Sequence, residues 1–271
     1  MTPKLTGIAK AVACCVLFTV LLAVVSPLKN MLPPQYERYA YGITGTLVAF
    51  IVVGLFVKTT KTSWLAIGLQ WHPSTIKNFV VGLLLGIAIC AVMMFSIIYF
   101  NGLQLERIAN ASLLPFLGWA MSLLLLSFME EVGFRTYAFT TLDKAAGPWV
   151  AQVIIAILFA LYHVAGGQPV VSSFLGPGTW AFIFGYAVLR SGGIAMATGI
   201  HFAANIFQAA IGQKNDYPAL WKIQPQQEIT AAMQSKIDNT GFVLQLLLLI
   251  IGILLTYTVV KKRGRLTGGK N

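Results

Sequence analysis

Eight stretches of this chain are each long and apolar enough to cross a bilayer, and that repetition constrains its fold more than any single residue. A membrane-crossing helix needs around 17 to 25 predominantly apolar residues, and such segments run at roughly 8–28, 39–57, 78–100, 113–135, 149–165, 174–190, 192–212 and 241–260. In hydrocarbon every backbone polar group must find an internal partner, so segments of this length are helices. The chain is 57% hydrophobic and 10% charged, where a soluble domain carries about 25% charged residues. The expectation is an all-α integral membrane protein, a single transmembrane domain over 1–271 with about eight helices.

A net charge of +11 would suggest nucleic acid in a soluble chain. Here the basic residues sit at segment ends, where they set topology and meet anionic head groups, so the bilayer is the expected partner and nucleic acid is not. With the N-terminus inside, 13 basic residues fall in the cytoplasm (Lys4, Lys10, Lys58, Lys61, Lys77, Arg135, Lys144, Arg190, Lys261, Lys262, Arg263, Arg265, Lys270). The other 6 fall outside (Lys29, Arg38, Arg107, Lys214, Lys222, Lys236). The expectation is a multi-pass protein of the cell membrane with both termini cytoplasmic. The connectors Pro33-Pro34, Gly147-Pro148, Gly166-Gly167 and Gly192-Gly193 have turn chemistry, and 213–239 reads as a loop or an interfacial helix. Cys14, Cys15 and Cys90 lie in apolar stretches without metal-ligand spacing and read as small core residues.

Inside one apolar run stand two adjacent acids, Glu130 and Glu131. An acidic side chain at a bilayer centre costs about 2.5 to 3.5 kcal/mol on insertion scales, so such groups face a cavity or a partner. Partners of the right kind follow. The fifth segment carries Phe159 and His163 four apart on one helix face, with Gln152 and Ala156 continuing the stripe. The seventh carries Thr198, His201, Asn205 and Gln208 as a polar stripe. If the fourth segment continues helically to about Asp143, Glu130 and His163 lie at one level, each about 20 Å from the Gly147-Pro148 turn at 1.5 Å per residue. The expected result is a polar site in the bundle core, in the segment 113–212.

Adjacent helical residues point about 100° apart, so the two acids have different tasks. Glu131 and Arg135, four apart with the acid first, are oriented for an ion pair. That leaves Glu130 as the free acid and candidate general base, with His163 helping to hold the water it deprotonates. His201 and Asn205, one turn apart, can donate to a developing oxyanion. The chain has no HExxH, no Gly-x-Ser nucleophile and no pair of membrane aspartates. No cofactor is required by this set, although Glu130, His163 and His201 have the ligand types for a divalent metal such as zinc. Small residues at Gly82 and Gly86, and at Ala195, Gly199 and Ala203, read as ordinary close helix packing.

Glu130-Glu131-x-x-x-Arg135, Phe159-x-x-x-His163 and His201-x-x-x-Asn205, in this order on successive membrane helices, resemble the three motifs of the CAAX-protease and bacteriocin-processing (CPBP, or Abi) family of intramembrane proteases. Trp64-Leu65-Ala66-Ile67-Gly68-Leu69 resembles that family's linker, and the likeness is clearest over about 60 to 212. It departs at Thr136, where the family commonly has Gly. The resemblance implies an eight-helix fold, a site opening towards the cytosol and a glutamate-activated water attacking a peptide bond of a membrane-associated substrate. It assigns Glu130 as base, His163 as water or metal partner, and His201 with Asn205 as oxyanion stabilisers. Members tied to bacteriocin immunity and to scaffolding make a non-catalytic membrane protein the alternative expectation. A proton-coupled transporter would show repeats or broken helices around its site, and no repeat is visible.

Overall fold

The computed structural model describes residues 2–214, 218–225 and 228–268, which leaves Lys270 of the basic count outside it, as is the side chain of Arg265. The chain begins with α1 (Pro3–Val25), started by Pro3 and by Thr2, whose hydroxyl accepts from the Leu5 amide. A 3-10 turn leads to α2 (Pro34–Thr59), and the linker 3-10 turn Leu65–Ile67 closes on Gly68 at φ 71°. Next come α3 (Thr75–Asn101), the short strand β1 (Leu103–Arg107), α4 (Leu113–Arg135), α5 (Tyr137–Ala146) and α6 (Pro148–Ala165). The four-residue α7 (Val170–Ser173) runs through a π-helical turn at Phe174–Gly178 into α8 (Thr179–Ser191). The chain then forms α9 (Ala195–Ala210), β2 (Trp221–Pro225) and α10 (Ala231–Gly268).

This is an all-α, multi-pass membrane protein. Among the described residues, six helical units are long and apolar enough to span, with α4 and α5 forming one of them. The segment expected at 174–190 lies in a continuous helical run from Val170 to Ser191 that passes through the π-helical turn, and the one expected at 192–212 is the shorter α9 of 16 residues. Residues Ala197 to Ala204 of α9 are all buried, enclosed by neighbouring helices. The stretch 213–239 is also corrected. It contains β2, which pairs antiparallel with β1 from Leu103↔Pro225 to Arg107↔Trp221, and the start of α10.

Contacts between turns sort the chain ends onto two faces. On one, Lys144 donates to the Ala66 carbonyl, Gly68 touches Gly193, Gly7 lies against Ala145 and Arg263 pairs with Asp143 at 2.8 Å. Both described ends of the chain therefore share a face. The other face carries the β1–β2 pair, Tyr39 donating to the Gly118 carbonyl, and Thr240 beside Asn101.

The small residues pack as expected, and they pack α3 against α9. A Cβ on Gly82 would stand 2.2 Å from the Met196 carbonyl oxygen, one on Gly86 2.6 Å from the Ala203 Cβ, and one on Gly199 2.2 Å from the Phe79 carbonyl oxygen. Only backbone-to-backbone approach fits there. The helix expected to continue to Asp143 instead breaks at Thr136 (φ −89°, ψ −101°), whose hydroxyl donates to the Val132 carbonyl at 2.6 Å. Beyond the break α5 buries Tyr137, Ala138, Phe139 and Leu142.

Candidate active site

The two adjacent acids of α4 point to different partners, as their angular separation requires. Glu131 is fully buried, and its Oε1 lies 2.8 Å from His201 Nδ1 and 3.4 Å from Arg135 Nη1. It serves α9 as well as Arg135, a second partner that the i,i+4 spacing alone does not reveal. The Arg135 guanidinium lies 4.0 Å from the Phe159 ring centroid and 5.2 Å from that of Phe184. Aromatic faces thus surround a cation that water cannot reach. Phe184 also stacks on His201, with centroids 4.6 Å apart and planes 15° apart.

Glu130 sits one level nearer open space. Its Oε1 accepts from the Tyr162 hydroxyl at 3.2 Å, and its Oε2 lies 3.5 Å from His201 Nε2. That Oε2 is buried with no hydrogen-bond partner among the described residues. A buried acceptor in this condition is a seat for a water or a substrate proton. His163 has its Nδ1 2.8 Å from the Phe159 carbonyl, which requires Nδ1–H as donor and leaves Nε2 available. Asn205 donates from Nδ2 to Ser127 Oγ at 3.0 Å.

Glu130, Tyr162, His163, His201 and Asn205 line one cavity of about 730 Å³. Its outer wall includes Ser26, Arg38, Gly166, Gln168 and Lys214. Burial pushes the Lys214 ammonium below the usual lysine range; the nearby Glu130 charge opposes this and Arg38 adds to it. The expected stripes are only partly realised. Gln152 faces away, donating to Thr256 Oγ1 at 2.8 Å and to the Phe182 carbonyl at 3.1 Å. Thr198 lines a different, apolar cavity, and Gln208 does not line this one.

Three participants escaped the sequence reading. Tyr162 gave no signal, because a tyrosine at the end of a membrane helix is ordinary. Ser127, three residues before Glu130 in a run of leucines, is a polar break that marks the face towards α9. Phe184 is one of many apolar residues on α8. No group of three His, Cys, Asp or Glu side chains suited to a metal gathers among the described residues. His201 already directs one ring nitrogen to each glutamate.

Fold and site define a multi-pass membrane protein with a carboxylate–histidine cluster enclosed by its helix bundle. Residues 112–207 match the family model of the type II CAAX prenyl endopeptidases, described as Rce1-like. The match spans α4 through most of α9 and contains all three motifs, in agreement with the CPBP resemblance. No curated protein matches the chain.

Proposed function

We propose that this chain is an intramembrane endopeptidase of the CAAX-prenyl-protease and bacteriocin-processing type, acting on a membrane-associated peptide or protein. The observation that carries the reading is Glu130: one oxygen held by Tyr162, the other unsatisfied beside His201, in a polar cavity within an apolar bundle.

Glu130 takes a proton from water as the oxygen attacks the peptide carbonyl, and the carbonyl electron pair moves onto oxygen. Asn205 Nδ2–H and the Nε2–H of a doubly protonated His201 donate to that oxyanion, and His163, through Nε2, orients the water. Collapse of the tetrahedral species breaks the C–N bond, and Glu130 returns its proton to the leaving nitrogen. Glu131 positions His201 by accepting from Nδ1, which keeps Nε2 directed into the cavity. Arg135, 3.4 Å from the same oxygen, helps to fix the Glu131 carboxylate in place. In the same reading the protein lies in the cell membrane with both termini cytoplasmic, and 112–207 is the working core of a single domain.

The test is cleavage of a membrane-peptide library by purified protein beside its Glu130→Gln variant. Base removal typically lowers rate about 10²–10⁴-fold. A Glu130→Gln protein with normal folding and full turnover would sink the mechanism. Loss of stability in step with loss of function would instead favour a non-catalytic scaffold.

A further inference from the structure

Two side-chain rungs join α4 to α9. Glu131 Oε1 lies 2.8 Å from His201 Nδ1, and Ser127 Oγ accepts from Asn205 Nδ2 at 3.0 Å. Residue numbers rise along one helix as they fall along the other, so the two helices run antiparallel at this contact. The rungs are four residues apart on both helices, about 6 Å at 1.5 Å per residue. Ser127 is fully buried behind Asn205. It lines neither cavity, whereas Asn205 lines the one that holds Glu130.

A hydroxyl in an apolar helix commonly bonds its own backbone four residues back. Thr44, Thr46 and Thr256 do so, donating to the carbonyls of Ala40, Gly42 and Gly252. Ser127 instead receives a side chain from a neighbouring helix. An asparagine amide has two N–H donors and one acceptor oxygen. With one hydrogen given to Ser127, the amide plane is held and the other hydrogen is left for the cavity. Without that contact the amide can turn about its last bond and present Oδ1, an acceptor that an oxyanion repels.

We propose that Ser127 is the positioning residue of Asn205, doing for the amide what Glu131 does for the His201 imidazole. This rests on the reading of the cavity as a peptidase site. Both donors assigned to the oxyanion are then set from behind by α4, the helix that also carries Glu130, so base and donors share one frame. Because Ser127 does not line the cavity, its contribution passes through Asn205.

The test is a double-mutant cycle on the purified full-length protein with a membrane peptide as substrate, together with a spectrum that needs no turnover. Ser127→Ala deletes one oxygen, and the freed Asn205 N–H can meet water in the cavity, so the thermal midpoint should stay near the parent's. Its kcat should fall roughly three- to tenfold, the value of one neutral hydrogen bond, with KM unchanged. Ser127→Thr keeps the accepting oxygen and should recover most of that loss. In an Asn205→Ala background, Ser127→Ala should change kcat by less than about twofold, within the scatter of such cycles. The full loss in that background, or a loss that tracks the midpoint, makes Ser127 a packing residue and overturns the proposal. In protein isotopically labelled at the asparagine side-chain nitrogens, the Asn205 signals are those absent from Asn205→Ala. One of its two amide hydrogens should be protected from exchange, and Ser127→Ala should remove that protection; an unchanged spectrum also overturns the proposal. Protection in a protein that cleaves no peptide keeps the Ser127 contact and sinks the peptidase reading instead.

Discussion

Glu131 holds His201 and Arg135 at once: a single carboxylate oxygen lies 2.8 Å from the imidazole and 3.4 Å from the guanidinium, with neither the acid nor the arginine exposed. The neighbouring Glu130 touches the open cavity, so one step along the helix separates a fully buried acid from the proposed base. Their variants should therefore fail differently.

Glu131→Gln strands a buried arginine and loosens His201. Breaking a buried ion pair by removing one partner costs about 3–5 kcal/mol, so its thermal midpoint should fall clearly along with turnover. Glu130→Gln should keep its midpoint near that of the parent while turnover collapses. Thermal unfolding of both variants beside a cleavage assay separates the two; equal midpoints would show that Glu131 is not structural.

Tyr162→Phe removes only the hydroxyl that donates to Glu130, while the ring keeps its packing against Phe134 and Phe159. A hydrogen bond to a charged group contributes about 1.5–3 kcal/mol. Turnover should drop at least about tenfold, since each 1.4 kcal/mol is a factor of ten. A Tyr162→Phe variant with parental kcat would remove Tyr162 from the mechanism.

Asn205 and His201 act on one charge in the proposed mechanism, so their losses should not add. Removing one oxyanion donor lowers turnover roughly 10²–10³-fold in a well-studied protease. Asn205→Ala should lower kcat with little change in KM, and adding His201→Ala should cost less than His201→Ala does alone. Additive losses, or a rise in KM without a fall in kcat, would argue against a shared oxyanion.

Gly82→Val tests the fold away from the site. Any Cβ there would meet the Met196 carbonyl oxygen, so α3 and α9 must separate. A lower thermal midpoint and a smaller folded fraction are expected, whereas Gly118→Val, whose Cβ would meet nothing within 4 Å, should be tolerated. Equal stability of the two would contradict the tight α3–α9 contact.

What the residues disclosed in advance was what depends on period and hydrophobicity. The long apolar runs of α1, α2, α3 and α6 announce themselves because each faces lipid over much of its length. The pairings of Glu131 with Arg135 and of His163 with the Phe159 turn follow from four-residue spacing. Long-range choices were hidden. Nothing local says that Gln152 turns to Thr256, 104 residues away, or that Leu103–Arg107 finds Trp221–Pro225. The break after Arg135 was also silent: Thr136 is compatible with a helix, and the bond from its hydroxyl to the Val132 carbonyl is one that Thr44 and Thr46 also make inside the unbroken α2.

The close contact of α3 with α9 has a mechanical consequence. Because Gly82, Gly86 and Gly199 bring the two backbones together, the helix bearing His201 and Asn205 cannot roll or slide without carrying α3 with it. The exposed turn after α6 is different: an added Cβ at Gly167 would meet nothing within 4 Å. The groups of α9 thus stand on a part of the cavity wall that cannot yield alone.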